Sequence, residues 1–395
     1  MSMGFDAAAL ARELSGMVVF RSVSEGPVLA PLIAFLRETG TPEARVPRYA
    51  AFAAALYARG CDLGAYLLDA ALTDDNAYIR ALAAGNTPPA VMAESVQREL
   101  RLFEALSRLD PAVLAAHAGV PPTSLARIAN TPADFVSAYD AQAKAVRTRG
   151  YGIYARYGMF RLQDGHIAPI EHADPISLDA LVGYERERQQ VIDNTRALIE
   201  GRPAANVLLC GDAGTGKSST VKAVANRFFA DGVRLLELQK NQLYLLPSIM
   251  GELSGNPLRF ILFIDDLSFQ KNDDSFGELK AILEGSAAAK APNVVIYATS
   301  NRRHLVKETF SEREGDDVHR QDTMQELVSL SERFGLTVLF GKPDKALYLR
   351  IVHGLAESFG IALPPQELDL KAEAFALRKG GRSARAAEQF IRSLL

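Results

Sequence analysis

Residues Val207 to Ala223 read VLLCGDAGTGKSSTVKA, and the fold of the whole chain turns on this stretch. Val207 to Cys210 is a short apolar run of strand type, a glycine-rich turn follows, and the residues after it open a helix. Within that strand, turn and helix the pattern GxxxxGK[ST] is complete as Gly211, Gly216, Lys217 and Ser218. Gly211, Gly214 and Gly216 allow backbone angles closed to other residues, so the N–H groups from Gly211 through Asp212, Ala213, Gly214, Thr215 and Gly216 can turn inward onto phosphate oxygens. The helix start adds unpaired donors and a positive dipole end. Lys217 then pairs with the outer phosphates and the Ser218 hydroxyl holds Mg²⁺, with Ser219 or Thr220 next in line for the α-phosphate.

Downstream the pattern alternates strand and helix. Val233 to Leu238 reads as a second strand, Gln242 to Leu253 as a helix, and RFILFIDDLSF (Arg259–Phe269) as a fully apolar strand ending in two carboxylates. A continuous apolar run suits a central parallel strand covered on both faces. Carboxylates at its C-terminal end stand where open α/β sheets place ligands. Asp265 is the expected Mg²⁺ ligand, and Asp266 the group that orients and activates the attacking water. A helix over Ser275–Glu284 leads to the strand VVIYATSN, whose polar tip Thr299, Ser300 and Asn301 can reach the γ-phosphate or the water; Asn301 is the chosen candidate. Arg302 and Arg303 follow, either as sheet-edge phosphate contacts or as a solvated charge pair, and the second reading is preferred. Residues 310–325 are highly charged, and LVSLSERFGLTVLF comes next.

Upstream, Arg149 to Ile170 (RGYGIYARYGMFRLQDGHIAPI) alternates aromatic with small or basic residues, and Asp164-Gly165 signals a hairpin turn. Tyr151, Tyr154, Tyr157 and Phe160 either stack on single-stranded nucleic acid or pack a half-buried hairpin against the α/β core, and the second reading is preferred. Met1 to about Thr148 is alanine-rich with apolar residues every three or four positions, such as Leu29, Leu32, Ile33 and Phe35, then Phe52, Leu56 and Tyr57. This describes a helical domain; His117 and Tyr139 are expected to be ordinary surface or core residues. At the other end, Asp344 to Leu395 is helical again, and Gly380-Gly381 break the chain before the last helix.

A chain of 395 residues accommodates two or three domains. A net charge of −3 gives no global electrostatic case for nucleic acid or acidic membrane. No apolar run approaches a membrane span, and the acids near the N-terminus do not suit a signal peptide, so a cytoplasmic protein is expected. The two cysteines, Cys61 and Cys210, lack metal or redox spacing and are expected to be buried reduced thiols.

Taken together, VLLCGDAGTGKSSTVKA, FILFIDDLSF, YATSNRRHL, LSERFG and GGRSAR resemble an AAA+ ATPase in order and spacing. LVGYERER with GDAGTGKSST, IDDLSF and ATSNRRHLV is similar to the bacterial domain-of-unknown-function AAA+ family numbered eight hundred and fifteen, over roughly Tyr151 to Leu395. The resemblance implies a P-loop NTPase fold of class α/β: a five-stranded parallel sheet between helices, a helical lid, and an α-helical N-terminal domain. The corresponding boundaries are 1–148 for the N-terminal domain, 149–176 for the hairpin and linker, 177–340 for the nucleotide-binding core and 341–395 for the lid. It further implies that Asn301 is sensor 1, that Arg333, beside Ser331 and Phe334, is an arginine finger supplied to a neighbour, and that Arg382 or Arg385 is sensor 2. Leu181, Val182 and Gly183 take the place of the apolar adenine wall.

One departure is that the acidic pair is Asp265-Asp266, where most AAA+ proteins have Asp-Glu. The expectation is an ATP- and Mg²⁺-dependent ATPase, forming homo-oligomers, that remodels an unknown protein client. The alternative is a slow ATP switch, like replication initiators and helicase loaders, engaging DNA or a helicase.

Overall fold

A computed structural model describes residues 5–267, 274–283, 291–301 and 332–395. Arg302, Arg303, the charged stretch 310–325 and Ser331 therefore lie outside the described residues. The chain divides into two compact units, Met1–Arg156 and Tyr157–Leu395.

The first unit is helical. Its helices include Ala7–Ser15, Leu29–Arg37, Pro42–Tyr57, Leu63–Thr73, Ala90–Ser107 and Phe135–Lys144. Asp6, Asp62 and Asp134 cap three of them by accepting backbone N–H groups, as short polar residues at helix starts do. Phe20, Phe35, Phe52, Phe103 and Tyr139 fill the core. His117 is a packing residue, edge-on to Phe35 at 5.1 Å between ring centres. The buried Glu99 carboxylate accepts N–H groups from Val18, Val19 and Phe20, which satisfies three donors at a chain reversal. The expectation of two buried thiols holds for Cys210 alone; Cys61 is exposed. Gly60 and Cys61 both take positive φ, so the helix Pro42–Tyr57 ends in a left-handed turn that carries Cys61 outward instead of continuing a buried face.

The second unit is built on one sheet. Its strands are β1 (Met159–Gln163), β2 (His166–Pro169), β3 (Val207–Gly211), β4 (Val233–Leu238), β5 (Arg259–Ile264), β6 (Val294–Ser300) and β7 (Leu336–Phe340), in the order β2-β1-β4-β5-β6-β3-β7. The five strands β4, β5, β6, β3 and β7 are parallel, as expected. The sheet nonetheless has seven strands, not five, because β1 adds parallel to β4 and β2 folds back antiparallel on β1. The two-residue turn is Asp164-Gly165, both at positive φ, the geometry that matches strand twist in a hairpin. Of the aromatics before this turn Phe160 lies in β1, but Tyr151, Tyr154 and Tyr157 are not part of a strand. Gly150 and Gly152 at positive φ interrupt the chain, and Ile153–Arg156 closes a single helical turn. Tyr151, Tyr154 and Tyr157 are half-buried and Phe160 is buried, so this stretch offers packing rather than an open stacking face.

β3, β5 and β6 read as unbroken apolar runs because helices cover both sheet faces. Pro247, which lacks an N–H and suits a first turn, splits the expected 242–253 helix into a 3₁₀ segment, Lys240–Leu245, and a helix, Leu246–Ser254. Gly211 ends β3 where a β-carbon would stand 2.0 Å from the Phe340 carbonyl oxygen of β7, so no side chain fits. On β6, the buried Tyr297 hydroxyl meets Asn194 at 3.0 Å and Thr195 at 2.8 Å, tying the helix Glu185–Ile199 to the sheet. Tyr297→Phe is expected to lower stability by about 1 kcal/mol, because it removes these bonds while preserving ring packing. A shift of the urea midpoint with an unchanged slope checks this.

Candidate functional site

The C-terminal ends of β3, β5 and β6 converge on one cavity of about 880 Å³. Its polar end is the loop after β3. Gly214 and Gly216 take φ of 75° and 90°, and the helix Lys217–Arg227 starts directly after them. Gly214 to Thr220 line the cavity, whereas Gly211, Asp212 and Ala213, all expected to contact phosphate, do not, and the Asp212 N–H donates instead to the Phe340 carbonyl at 3.2 Å.

Lys217 is only 5% exposed. Its Nζ donates to the carbonyls of Gly211 at 3.2 Å and Asp212 at 2.8 Å, and to Asn301 Oδ1 at 3.0 Å. All three acceptors are uncharged. Burial accordingly pushes the ammonium pKa down, partly offset by the charges of Asp212, Asp266 and Asp265. A buried cation with neutral hydrogen-bond partners at a helix start is suited to receive an anion.

Opposite the lysine stands the acidic pair. Asp265 Oδ1 accepts from Ser218 Oγ at 2.6 Å and from Thr299 Oγ1 at 2.6 Å. Asp266 takes φ of 53°, an unusual left-handed backbone for a residue other than glycine, and its N–H donates to Thr299 Oγ1 at 2.9 Å. The Asp266 carboxylate accepts from Asn301 Nδ2 at 2.7 Å. Thr299 thus clamps both acids through one hydroxyl, and Asn301 bridges Lys217 and Asp266. The Ser218 hydroxyl and Asp265 carboxylate present adjacent hard oxygens beside the phosphate cradle. That donor set fits Mg²⁺, which takes one or two carboxylates and completes its shell with phosphate and water.

The other end of the cavity is apolar. Leu181 and Val182 form one wall, and Ile351, Leu355 and Phe359, four residues apart along the helix Lys345–Ser358 and its end, form the other. Tyr184 also lines it; its ring lies 5.3 Å from Phe340, its hydroxyl donates to the Gly341 carbonyl, and burial raises its pKa to about 12. The extended segment Asp174–Ser177 closes the side, held by Asn226 Nδ2 donating to the carbonyls of Asp174 and Ile176.

The two closing arginines are placed differently. Ser383 caps the helix Ala384–Arg392 by accepting the Ala386 N–H, which puts Arg385 in the first turn, and Arg385 lines the cavity. Its N–H donates to the Gly214 carbonyl at 3.0 Å. Arg382 instead forms a forked pair with Glu373 at 2.8 and 2.6 Å and does not line the cavity. Arg333 precedes β7 at the opposite sheet edge and does not line it either. Sequence reasoning missed the Thr299 clamp and the cavity-lining positions Ile351, Leu355, Phe359, Glu388 and Arg392. The four-residue spacing of the first three was the available signal.

Among the described residues, no helix is long and apolar enough to cross a membrane. Residues 155–395 match the family described as "Protein of unknown function (DUF815)". Curated relatives include the replication factor C large subunit of Methanococcus maripaludis, 24% identical over 132 residues, covering 32% of this chain and 27% of that protein. Chaperone protein ClpB 2 of Parasynechococcus marenigrum is 26% identical over 207 residues, covering 48% of this chain and 21% of that protein. The chain thus spans about a quarter of the length of these relatives. A solved structure of a Thermotoga maritima RuvB variant aligns at 16% identity with a TM-score of 0.38, over 55% of this chain and 63% of that one. With its match over 155–395 the chain belongs to the DUF815 family, and it carries a P-loop motif between β3 and the helix Lys217–Arg227 of a mostly parallel sheet.

Proposed function

We propose that this protein is a Mg²⁺-dependent ATPase that couples ATP hydrolysis to remodelling of a partner macromolecule, the helical N-terminal part gripping the client. The observation that carries this reading is the meeting of Lys217, Ser218, Asp265, Asp266 and Asn301 within hydrogen-bonding distance of one another at the strand ends. Mg²⁺ bound beside Ser218 and Asp265 would offset negative charge on the β- and γ-phosphates.

The protein's own groups divide the remaining work. Backbone N–H groups of residues 214–216 and the Lys217 ammonium hold the phosphates in place, with Ser219 at the α-phosphate. Asp266 orients a water and takes its proton, while Asn301 positions the γ-phosphate or that water. Arg385 reaches the phosphates from the lid. Arg333, remote from its own cavity, suits a finger supplied to a neighbouring copy, which makes oligomerisation part of the cycle. Val182 and the apolar wall take the base.

A second reading, a slow ATP switch, draws on the Asp266 carboxylate. It is one methylene shorter than the usual glutamate and already engaged by Asn301. Phosphate release measured with Mg·ATP across protein concentrations separates the two readings: sustained turnover supports the motor, retained ATP with little turnover supports the switch. Chelation of Mg²⁺ is expected to lower the rate by roughly 100-fold or more, because charge on the transferring group is then borne by Lys217 and Arg385 alone. Phosphate release unaffected by EDTA, or absent under every condition together with absent ATP binding, contradicts both.

A further inference from the structure

We propose that Glu388 reads the ribose of the bound nucleotide and makes the site prefer ribonucleotides to 2′-deoxyribonucleotides. The proposal rests on the nucleotide reading above and concerns a residue that takes no part in the phosphate chemistry. The helix Ala384–Arg392 turns one face to the cavity, and Arg385, Glu388 and Arg392 on that face all line it. Positions three and four apart on a helix share a face, so these three side chains form a row.

Both ends of the row are fixed against known landmarks. At one end the Arg385 N–H bonds to Gly214 of the phosphate loop. At the other, the Arg392 guanidinium lies 5.6 Å from the centre of the Phe359 ring, and Phe359 belongs to the apolar end of the cavity. Seven residues of helix separate the two ends by roughly 10 Å, about the span from the phosphates to the base of a nucleotide. Glu388 stands between them, at the level of the sugar.

Its chemistry suits that level. Arg392 donates to Glu388 through Nε at 3.0 Å and approaches with Nη2 at 2.9 Å, both on Oε1. Neither contact involves the second carboxylate oxygen, Oε2, which can accept from a ligand donor. An ionised carboxylate accepts strongly from hydroxyl groups, and the 2′- and 3′-hydroxyls are the only donors a nucleotide offers between phosphates and base. As a surface pair alone, Glu388 and Arg392 contribute little, since Glu388 is 48% exposed. Their position on the cavity wall is what assigns the role.

The test is titration calorimetry of the full chain with Mg·ATP, Mg·2′-dATP and Mg·3′-dATP. Wild type is expected to bind 2′-dATP roughly tenfold more weakly than ATP, a modest ratio because the carboxylate is half-exposed. Glu388→Ala is expected to bind ATP and 2′-dATP equally, at the level of wild type with the deoxynucleotide. Glu388→Gln, which keeps an acceptor, retains part of the preference and serves as the reading if the alanine variant does not fold. Equal wild-type affinity for ATP and both deoxy forms, or an undiminished preference in Glu388→Ala, overturns the assignment while leaving the nucleotide site intact. Binding of none of the three by wild type overturns the nucleotide reading and this one with it.

Discussion

Asp266→Asn is expected to lower phosphate release by roughly 10²–10⁴-fold, the range a positioned general base contributes, while ATP binding persists. The substitution is nearly isosteric, and asparagine tolerates the left-handed backbone at φ 53° better than other residues. The N–H bond from residue 266 to Thr299 Oγ1 is a backbone contact and survives. What is lost is the carboxylate's capacity to take a proton from water. Because the Lys217 and Ser218 contacts do not involve the Asp266 side chain, the phosphates keep their cradle. Single-turnover hydrolysis with radiolabelled ATP, read beside equilibrium binding, checks both halves. A variant that hydrolyses ATP as fast as wild type removes Asp266 from the proposed role. The same variant, holding ATP without consuming it, is also the form with which to capture a client.

Lys217→Ala is expected to weaken Mg·ATP binding by roughly 10- to 100-fold, since charge-assisted hydrogen bonds to a buried ammonium are lost, and to abolish measurable turnover. The protein itself is expected to fold, with little net change in stability at neutral pH, since relief of the buried charge is set against three lost hydrogen bonds and the loss of a buried stem. Burial holds the Lys217 pKa below its usual value, which means the folded chain disfavours the charge that alanine removes. The sign also has a consequence for pH. A lysine depressed in the folded state binds fewer protons folded than unfolded, so stability rises as pH climbs through the depressed folded value towards the ordinary lysine range. The alanine variant is expected to lose that rise. Calorimetric titration of nucleotide and thermal unfolding between neutral and alkaline pH measure the two effects separately. Unchanged ATP affinity in Lys217→Ala contradicts the phosphate role.

What the sequence made legible is what is local along the chain. The phosphate loop is contiguous, and the carboxylate pair and Asn301 each mark the end of an apolar strand, so strand periodicity placed them at one sheet edge. Four of the five parallel strands followed from such runs; the fifth, β7, was implied only by the family resemblance. Features set by packing were less legible. β1 and β2 extend the sheet because β1 finds an open edge on β4, and nothing in Met159–Gln163 alone names its partner. Glycines at 150 and 152 broke a stretch whose aromatic alternation resembled strand. Which of Arg382 and Arg385 lines the cavity is a matter of helix register: the Ser383 cap puts Arg385 in the first turn, and Glu373 pairs with Arg382. Thr299 was visible as a strand-tip hydroxyl, but its double contact depends on the unusual turn at Asp266.

The bond between the Arg385 amide and the Gly214 carbonyl has a mechanical meaning. It stitches the first turn of the last helix to the glycine turn, and a β-carbon on Gly214 would already crowd Arg385 at 3.0 Å. Under the proposed function the last helix would act as a latch: it could not move away about Gly380-Gly381 without first letting go of the same peptide that shapes the glycine turn. On that reading, departure of a product and release of the latch would be one event, and whatever leans on the last helix from outside would gain a hold on how long the spent nucleotide stays.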